Sequence, residues 1–338
     1  MNYKLLLLFL SIPLLAMVNL MIGSVPIPLA EVADILLGNG SDSDVFTNIV
    51  LRTRLPQTLT AIACGAGLSL AGLEMQTVFH NPLAGPSVLG VSSAASLGVA
   101  FVVLLSGTIG GGLMSRFGLM GNTALTTAAI GGALAAMALI VWLSQRVHGR
   151  ATLLIVGVLI GYIASAIIGV LKYFSSEEDI RAYVIWGLGS FARVTGGQVY
   201  VFVALMAVLC PLSMLLAKPL NTMLLGERYA ANLGLNIRRA RMLIIASAGI
   251  LTAVTTAYCG PIMFLGLAVP HLARGLFATD DHRTLLPATL LAGASLALVC
   301  NLIARLPGME GALPINSVTA LIGAPVALTI LLRKHEKG

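Results

Sequence analysis

The sequence predicts an all-α, polytopic membrane protein that crosses a bilayer about ten times. Of its 338 residues, 58% are hydrophobic and only 10% are charged, and apolar runs of spanning length recur along the whole chain. Soluble domains carry roughly a quarter charged residues, so no water-soluble fold hides this much apolar surface. The bilayer core offers no water to backbone groups, and unbroken apolar runs select helices over the alternating strands of a barrel.

A spanning helix takes about 20 mainly apolar residues, and runs of that kind lie near 4–22, 56–78, 88–106, 122–143, 151–172, 198–217, 240–258, 261–277, 284–304 and 315–332. The first has one Lys4 before it and lacks a small-residue cleavage site, so it is expected to be a retained helix rather than a removed signal. The second and fourth carry Cys64-Gly65-Ala66-Gly67 and Gly131-Gly132-Ala133, small residues that let helix backbones approach closely in lipid. The third follows a Gly-Pro break. The eighth, with Pro270 and His271, is the least regular, and it is needed to bring both termini to one side. Gly85-Pro86 between spans two and three echoes Gly260-Pro261 between seven and eight, on links expected on opposite sides. That fits an inverted repeat of helices 2–5 and 7–10.

Charge sets the expected orientation. With cytoplasmic termini, thirteen of the twenty Lys and Arg fall on the inner side, including Arg146, Lys218, Arg228, Arg238, Arg239 and Arg241. The outer links hold Glu31, Asp34, Asp42, Asp44, Glu177, Glu178, Asp179 and Glu310, as the positive-inside rule expects. The net charge of +7 therefore reads as membrane topology and not as a nucleic-acid footprint. Cys64, Cys210, Cys259 and Cys300 sit in or beside apolar runs without metal-ligand spacing and read as small buried hydrophobes.

No G-x-x-x-x-G-K-[ST] loop occurs, so the chain is not expected to hydrolyse ATP. Neither a catalytic nor a metal constellation is visible, and no bound cofactor is expected. Function must lie in a pathway and in partners. Three segments stand out. The link 218–241 is too long for a tight turn: Asn221 or Thr222 is placed to cap a short helix, Leu225, Tyr229 and Leu233 share a face, Gly234 ends it, and Asn236 caps the next helix. Such an amphipathic element either lies on lipid or docks into a partner's groove. Arg52 and Arg54, with Arg305 in I-A-R-L-P, sit at the outer boundary, where they either snorkel to headgroups or offer forks to an acidic partner. H-N-P-L-A-G-P-S at 80–87 is a broken link suited to a gate or a pathway wall. Glu74, one turn before it, is the only carboxylate within a span, placed near the cytoplasmic end where water could reach it, and a candidate for a proton relay.

In these segments the chain resembles the FecCD family, the membrane subunits of ABC importers for ferric siderophores, haem and cobalamin. The likeness runs through R-L-P at 54–56, N-P-L-A-G-P at 81–86, L-G-V-S-S at 89–93, L-G-E-R-Y-A-A-N-L-G at 225–234, G-P-I-M-F-L-G-L at 260–267, P-H-L-A-R at 270–274, D-H-R-T-L-L-P at 281–287 and L-I-G-A-P at 321–325. It implies the type II ABC importer permease fold as a single permease domain over 1–338 in the bacterial inner membrane. It also implies a homodimer, two cytoplasmic ATPase subunits that bind ATP and magnesium, and a periplasmic substrate-binding protein. On the family pattern, coupling helices fall at about 219–238, with Leu225, Gly226, Glu227, Ala230, Leu233 and Gly234 as the ATPase-coupling positions. Arg54 and Arg305 match arginines that meet the binding protein, with Arg52 the stand-in for a charge lost at Gln57. Leu83, with Asn81 and Pro82, resembles a cytoplasmic gate, and span five, with Gly161 and Ser165, resembles the pathway lining. Ferric siderophore is the expected cargo, with haem and cobalamin behind it. The rival is an ion-coupled secondary transporter without an ATPase, for which Glu74 is the one candidate site.

Overall fold

The structure is a computed structural model that describes residues 3–38, 43–105, 121–144, 146, 150–306 and 312–335. Asp42, His148, Pro307, Glu310 and Lys337 lie outside the described residues.

Among the described residues, ten apolar helices carry the chain through the bundle. Seven are long and apolar enough to cross a membrane and three are shorter. In chain order the helices are α1 (Tyr3–Met21), α2 (Leu29–Leu37), α3 (Asp44–Asn48), α4 (Leu55–Phe79), α5 (Val91–Val103), α6 (Asn122–Ser144), α7 (Arg150–Tyr173), α8 (Glu177–Gly187) and α9 (Gly197–Met214). They continue as α10 (Ala217–Leu224), α11 (Glu227–Asn232), α12 (Ile237–Cys259), α13 (Leu265–Phe277), α14 (His282–Ile303) and α15 (Ile315–His335). A π-helical turn, Ile49–Arg54, joins α3 to α4. The ten expected spans correspond to α1, α4–α7, α9 and α12–α15. Helices α2, α3 and α8 were not foreseen. The short α8 is capped by Ser176, whose Oγ accepts from the Asp179 amide, and its first turn carries three acids that suit the positive end of the helix.

Helix α4 is the axis of the bundle. Nearly all of its side chains are buried, and it packs against α9, α12, α13 and α14. Its small residues make this possible. A Cβ on Gly65 would stand 2.3 Å from the Gly293 carbonyl oxygen of α14, and one on Gly72 would stand 1.7 Å from the Gly266 carbonyl oxygen of α13. Gly98 of α5 and Gly132 of α6 meet in the same way, each facing a backbone carbonyl of the other helix. Helices approach this closely only where no side chain intervenes.

The packing has the expected two-fold plan. Helix α4 lies on α14 as α12 lies on α6, α5 on α6 as α13 on α14, and α5 on α7 as α13 on α15, while α4 and α12 meet each other at the centre. In each half the second helix is short, 13 residues, and follows an irregular Gly-Pro stretch. The eighth span therefore begins at Leu265, four residues later than expected. Irregular backbone at this depth is tolerated because it is buried in protein. The sequence placed the two links on opposite sides, and they leave opposite ends of the bundle, beside His271 and beside Asn316. From there each turns inward and they meet: a Cβ on Gly266 would stand 2.6 Å from the Pro86 ring.

Lys4 donates to the Leu276 carbonyl, so the start of α1 shares an end of the bundle with the end of α13 and the α10–α11 link. Helix α15 starts at the other end, where the Asn316 amide donates to the Leu188 carbonyl. The outer circumference is apolar and bare. On α1, Leu7, Phe9, Leu10 and Leu14 are all more than half exposed, the surface a hydrocarbon layer covers, and α7 also exposes Ile155, Leu159, Tyr162, Ile163 and Val170.

Candidate functional site

Two short helices form the 218–241 link. Gly226 turns the chain between them at φ +93° and Gly234 closes α11 at φ +85°, both in the left-handed region that favours glycine. Leu225, Tyr229 and Leu233 are 59%, 69% and 64% exposed, so the expected apolar face points outward. Ala230, Leu220 and Met223 are fully buried on the opposite side. Ala230 thus seats the element rather than facing outward. Glu227 pairs with Arg241 and ties α11 to α12, and Asn236 caps α12 by accepting from the Arg239 amide at 3.0 Å.

Asn221 does not cap a helix as the sequence suggested, because α10 starts earlier and Gly226 takes the cap of α11. Its side chain spans to α14 instead. The Asn221 amide donates to Asp281 Oδ1 at 2.5 Å, and its oxygen accepts from the His282 amide at 2.8 Å. The Arg283 amide and Asn221 hold the Asp281 carboxyl below the usual carboxylate range. His282 Nε2 lies 2.8 Å from Thr77 Oγ1. An unbroken polar chain thus joins α10 to α14 and α4.

The end of α4 leads from there into the broken link. His80 closes α4 in the left-handed region at φ +49°, and Asn81 Oδ1 accepts from the Leu83 amide at 2.9 Å, which forms an Asx turn. The Pro82 carbonyl accepts from His271 Nε2 at 2.7 Å. Beside it, Arg274 donates to Gln76 Oε1 at 2.6 Å while Gln76 donates to the Leu267 carbonyl at 3.1 Å. Leu83 itself is 41% exposed. It lines a cavity of about 170 Å³ with Pro86, Val88, Met263, Phe264 and Leu267, so both Gly-Pro links contribute. Phe264 sits there at φ +67°, a conformation that a bulky side chain adopts only when its surroundings impose it. On α7, Gly161 faces Ser93 of α5 and Ser165 is exposed.

The arginines separate. Arg54 is 3% exposed and donates to the carbonyls of Leu20, Met21 and Val25. Arg305 donates to Gln57 Oε1 and to the carbonyls of Asn19 and Ile22. Together they hold the open carbonyl end of α1, which a cation suits, and both line a depression of about 300 Å³ with Ser24 and Thr53. Arg52 is exposed and opens onto a different, lateral groove.

Glu74 is fully buried. Its Oε1 accepts from Ser213 Oγ at 2.8 Å and Ser247 Oγ at 2.9 Å. It is thus not solvated at an end of the bundle but joins α4 to α9 and α12. Among the described residues no group of three or more His, Cys, Asp or Glu is placed to hold a metal, and all four cysteines are free thiols.

Sequence reasoning missed the grip of His271, Gln76 and Arg274 on the 80–84 link. The P-H-L-A-R motif was the available signal, but its partners lie about 190 residues away in sequence.

The chain matches the model of the FecCD transport family over residues 7–333. It is 39% identical over 289 residues to the vitamin B12 import system permease protein of Klebsiella pneumoniae, covering 86% of this chain and 84% of that protein. It is 34% identical over 334 residues to the hemin transport system permease protein of Yersinia pestis, covering 98% and 97%. Among solved structures it superposes on an inward-facing metal-chelate-type ABC transporter with a TM-score of 0.84 and 30% identity, covering 99% of this chain and all of the other. The helical plan, the paired broken links and these likenesses agree: the chain belongs to the FecCD transport family, as a multi-pass permease subunit that leaves ATP hydrolysis to a separate protein.

Proposed function

We propose that the chain is half of a homodimeric permease in the bacterial inner membrane, importing a metal chelate in the cobalamin and haem size class. The observation that carries this is the α10–α11 element, whose apolar stripe of Leu225, Tyr229 and Leu233 faces outward while Asn221 and Glu227 bolt it to the spanning helices. Two ATPase subunits, carrying ATP and magnesium, seat that stripe on the cytoplasmic side. Their closure moves α10 against α14 and α4, and the converging links at Leu83 open or shut. Both termini share the cytoplasmic end, which the excess of Lys and Arg there supports. A substrate-binding protein docks at the opposite end over the Arg54–Arg305 depression. Asn81 and Pro82 set the position of the gate, and α7, with Ser165 on its exposed side, forms part of the pathway wall.

The sequence reading favoured a ferric siderophore. The named cargoes of two relatives, vitamin B12 and hemin, favour a macrocyclic chelate instead. An ion-coupled carrier finds no support in the geometry, because Glu74 is enclosed by two serines away from the links. Uptake of labelled cobalamin, hemin and a ferric siderophore by cells lacking the chain, with the chain restored as control, tests the reading. Loss of cobalamin or hemin uptake alone is the expected result. Loss of siderophore uptake alone moves the cargo class, and retention of all three contradicts import of metal chelates by this chain.

A further inference from the structure

Arg52 and Arg54 are two residues apart but leave the helix on different faces. The π-helical turn Ile49–Arg54 directs Arg54 into the protein, onto the carbonyls that end α1, while Arg52 stays exposed. A single π turn inside a helical segment commonly marks a functional position, because it re-aims side chains that an α-helix would stack. Arg52 opens sideways onto a groove of about 450 Å³ between α4 and α9, whose walls include Leu55, Leu59, Val199 and Tyr200. Among the described residues Arg52 has no acidic or carbonyl partner.

We infer that this groove is a binding site for one phospholipid with an anionic headgroup, held by Arg52 at the phosphate and by Leu55 and Leu59 along an acyl chain. Its polarity is graded in the way such a molecule requires. The cation and the exposed Thr195 lie at the boundary end, where α9 begins, and Leu59 lies about two turns deeper than Arg52 along the helix. Tyr200 is 75% exposed beside the groove, an aromatic with a polar tip at headgroup level. The same side of α9 continues as exposed Ala204, Ala207 and Pro211, so the groove opens into the surface that hydrocarbon covers. A soluble partner above the bundle would instead sit over the separate depression that Arg54 and Arg305 line. The site stands independently of the cargo and of the ATPase assignment.

Native mass spectrometry of the full chain in detergent, titrated with dioleoyl phosphatidylglycerol and separately with dioleoyl phosphatidylcholine, tests it. Wild type is expected to bind the anionic lipid about fivefold more tightly, the factor that one arginine near an anionic surface supplies. Arg52→Gln should lose that preference, Arg52→Lys should keep most of it, and Arg181→Gln, an exposed arginine of α8, should leave it unchanged. Equal preference in wild type and Arg52→Gln overturns the assignment. So does an Arg52→Gln variant that weakens binding-protein docking while its lipid preference stays intact, since that would make Arg52 a docking residue.

Discussion

Gly72→Ala is expected to collapse the folded yield of the protein, although it adds a single methyl group. A Cβ at that position would stand 1.7 Å from the Gly266 carbonyl oxygen and 2.5 Å from its carbon, and both are backbone atoms with no rotamer to yield. The contact joins α4, the axis of the bundle, to the first turn of α13, which is also pressed against Pro86. To make room, α13 must move away from α4. That movement pulls on the Gln76 hydrogen bond to the Leu267 carbonyl and on the second Gly-Pro link. Overpacking a fitted core costs about 1–3 kcal/mol and more where backbone is struck, so a loss of roughly 3 kcal/mol or more is expected. Gly131→Ala is the matched control, because nothing lies within 4 Å of its Cβ position on α6, and alanine is the better helix former. Thermal unfolding in detergent, followed by size-exclusion fluorescence, should show a large drop for the first and none for the second. Equal melting of the two variants would contradict the described approach of α4 to α13.

The second large effect is functional. Leu225→Asp combined with Leu233→Asp should abolish association with the ATPase subunits while leaving the fold intact. Both side chains are well over half exposed and rest on no core residue that needs them, so unfolding stability should change little. As central apolar anchors of an interface they are worth about 2 kcal/mol each when removed, and burying two carboxylates there adds a further penalty. Affinity should fall on the order of a hundredfold or more, read by co-purification and by loss of stimulated ATPase activity. Unchanged association would remove α10–α11 from the interface.

Much of this architecture was legible in the sequence for a physical reason. Length and apolarity set the spans, and a bilayer leaves a chain few alternatives to helices. Gly234 and the outward stripe were readable because a positive φ and a helical period are local properties, whereas the turn at Gly226 that splits the expected single helix into α10 and α11 was not read. The convergence of the two Gly-Pro links was not readable, because it depends on how far α5 and α13 extend, and their neighbours set those lengths. Nor was the enclosure of Glu74, whose two serine partners lie on helices about 140 and 170 residues away in sequence. The arginines teach the same lesson. A boundary arginine reads alike whether it meets solvent, lipid or a helix end, and only packing separates Arg52 from Arg54. Asn221 shows how a good local signal misleads, since a residue suited to capping is used here to join α10 to α14.

The central claim is that an ATPase partner drives this chain from the α10–α11 side. Its most direct test is accumulation of labelled chelate in proteoliposomes, with and without the ATPase subunits, under either ATP or an imposed proton or sodium gradient. Accumulation is expected only with ATPase and ATP, unaffected by either gradient and lost in the Leu225→Asp, Leu233→Asp variant. Accumulation by the chain alone under an ion gradient would contradict it.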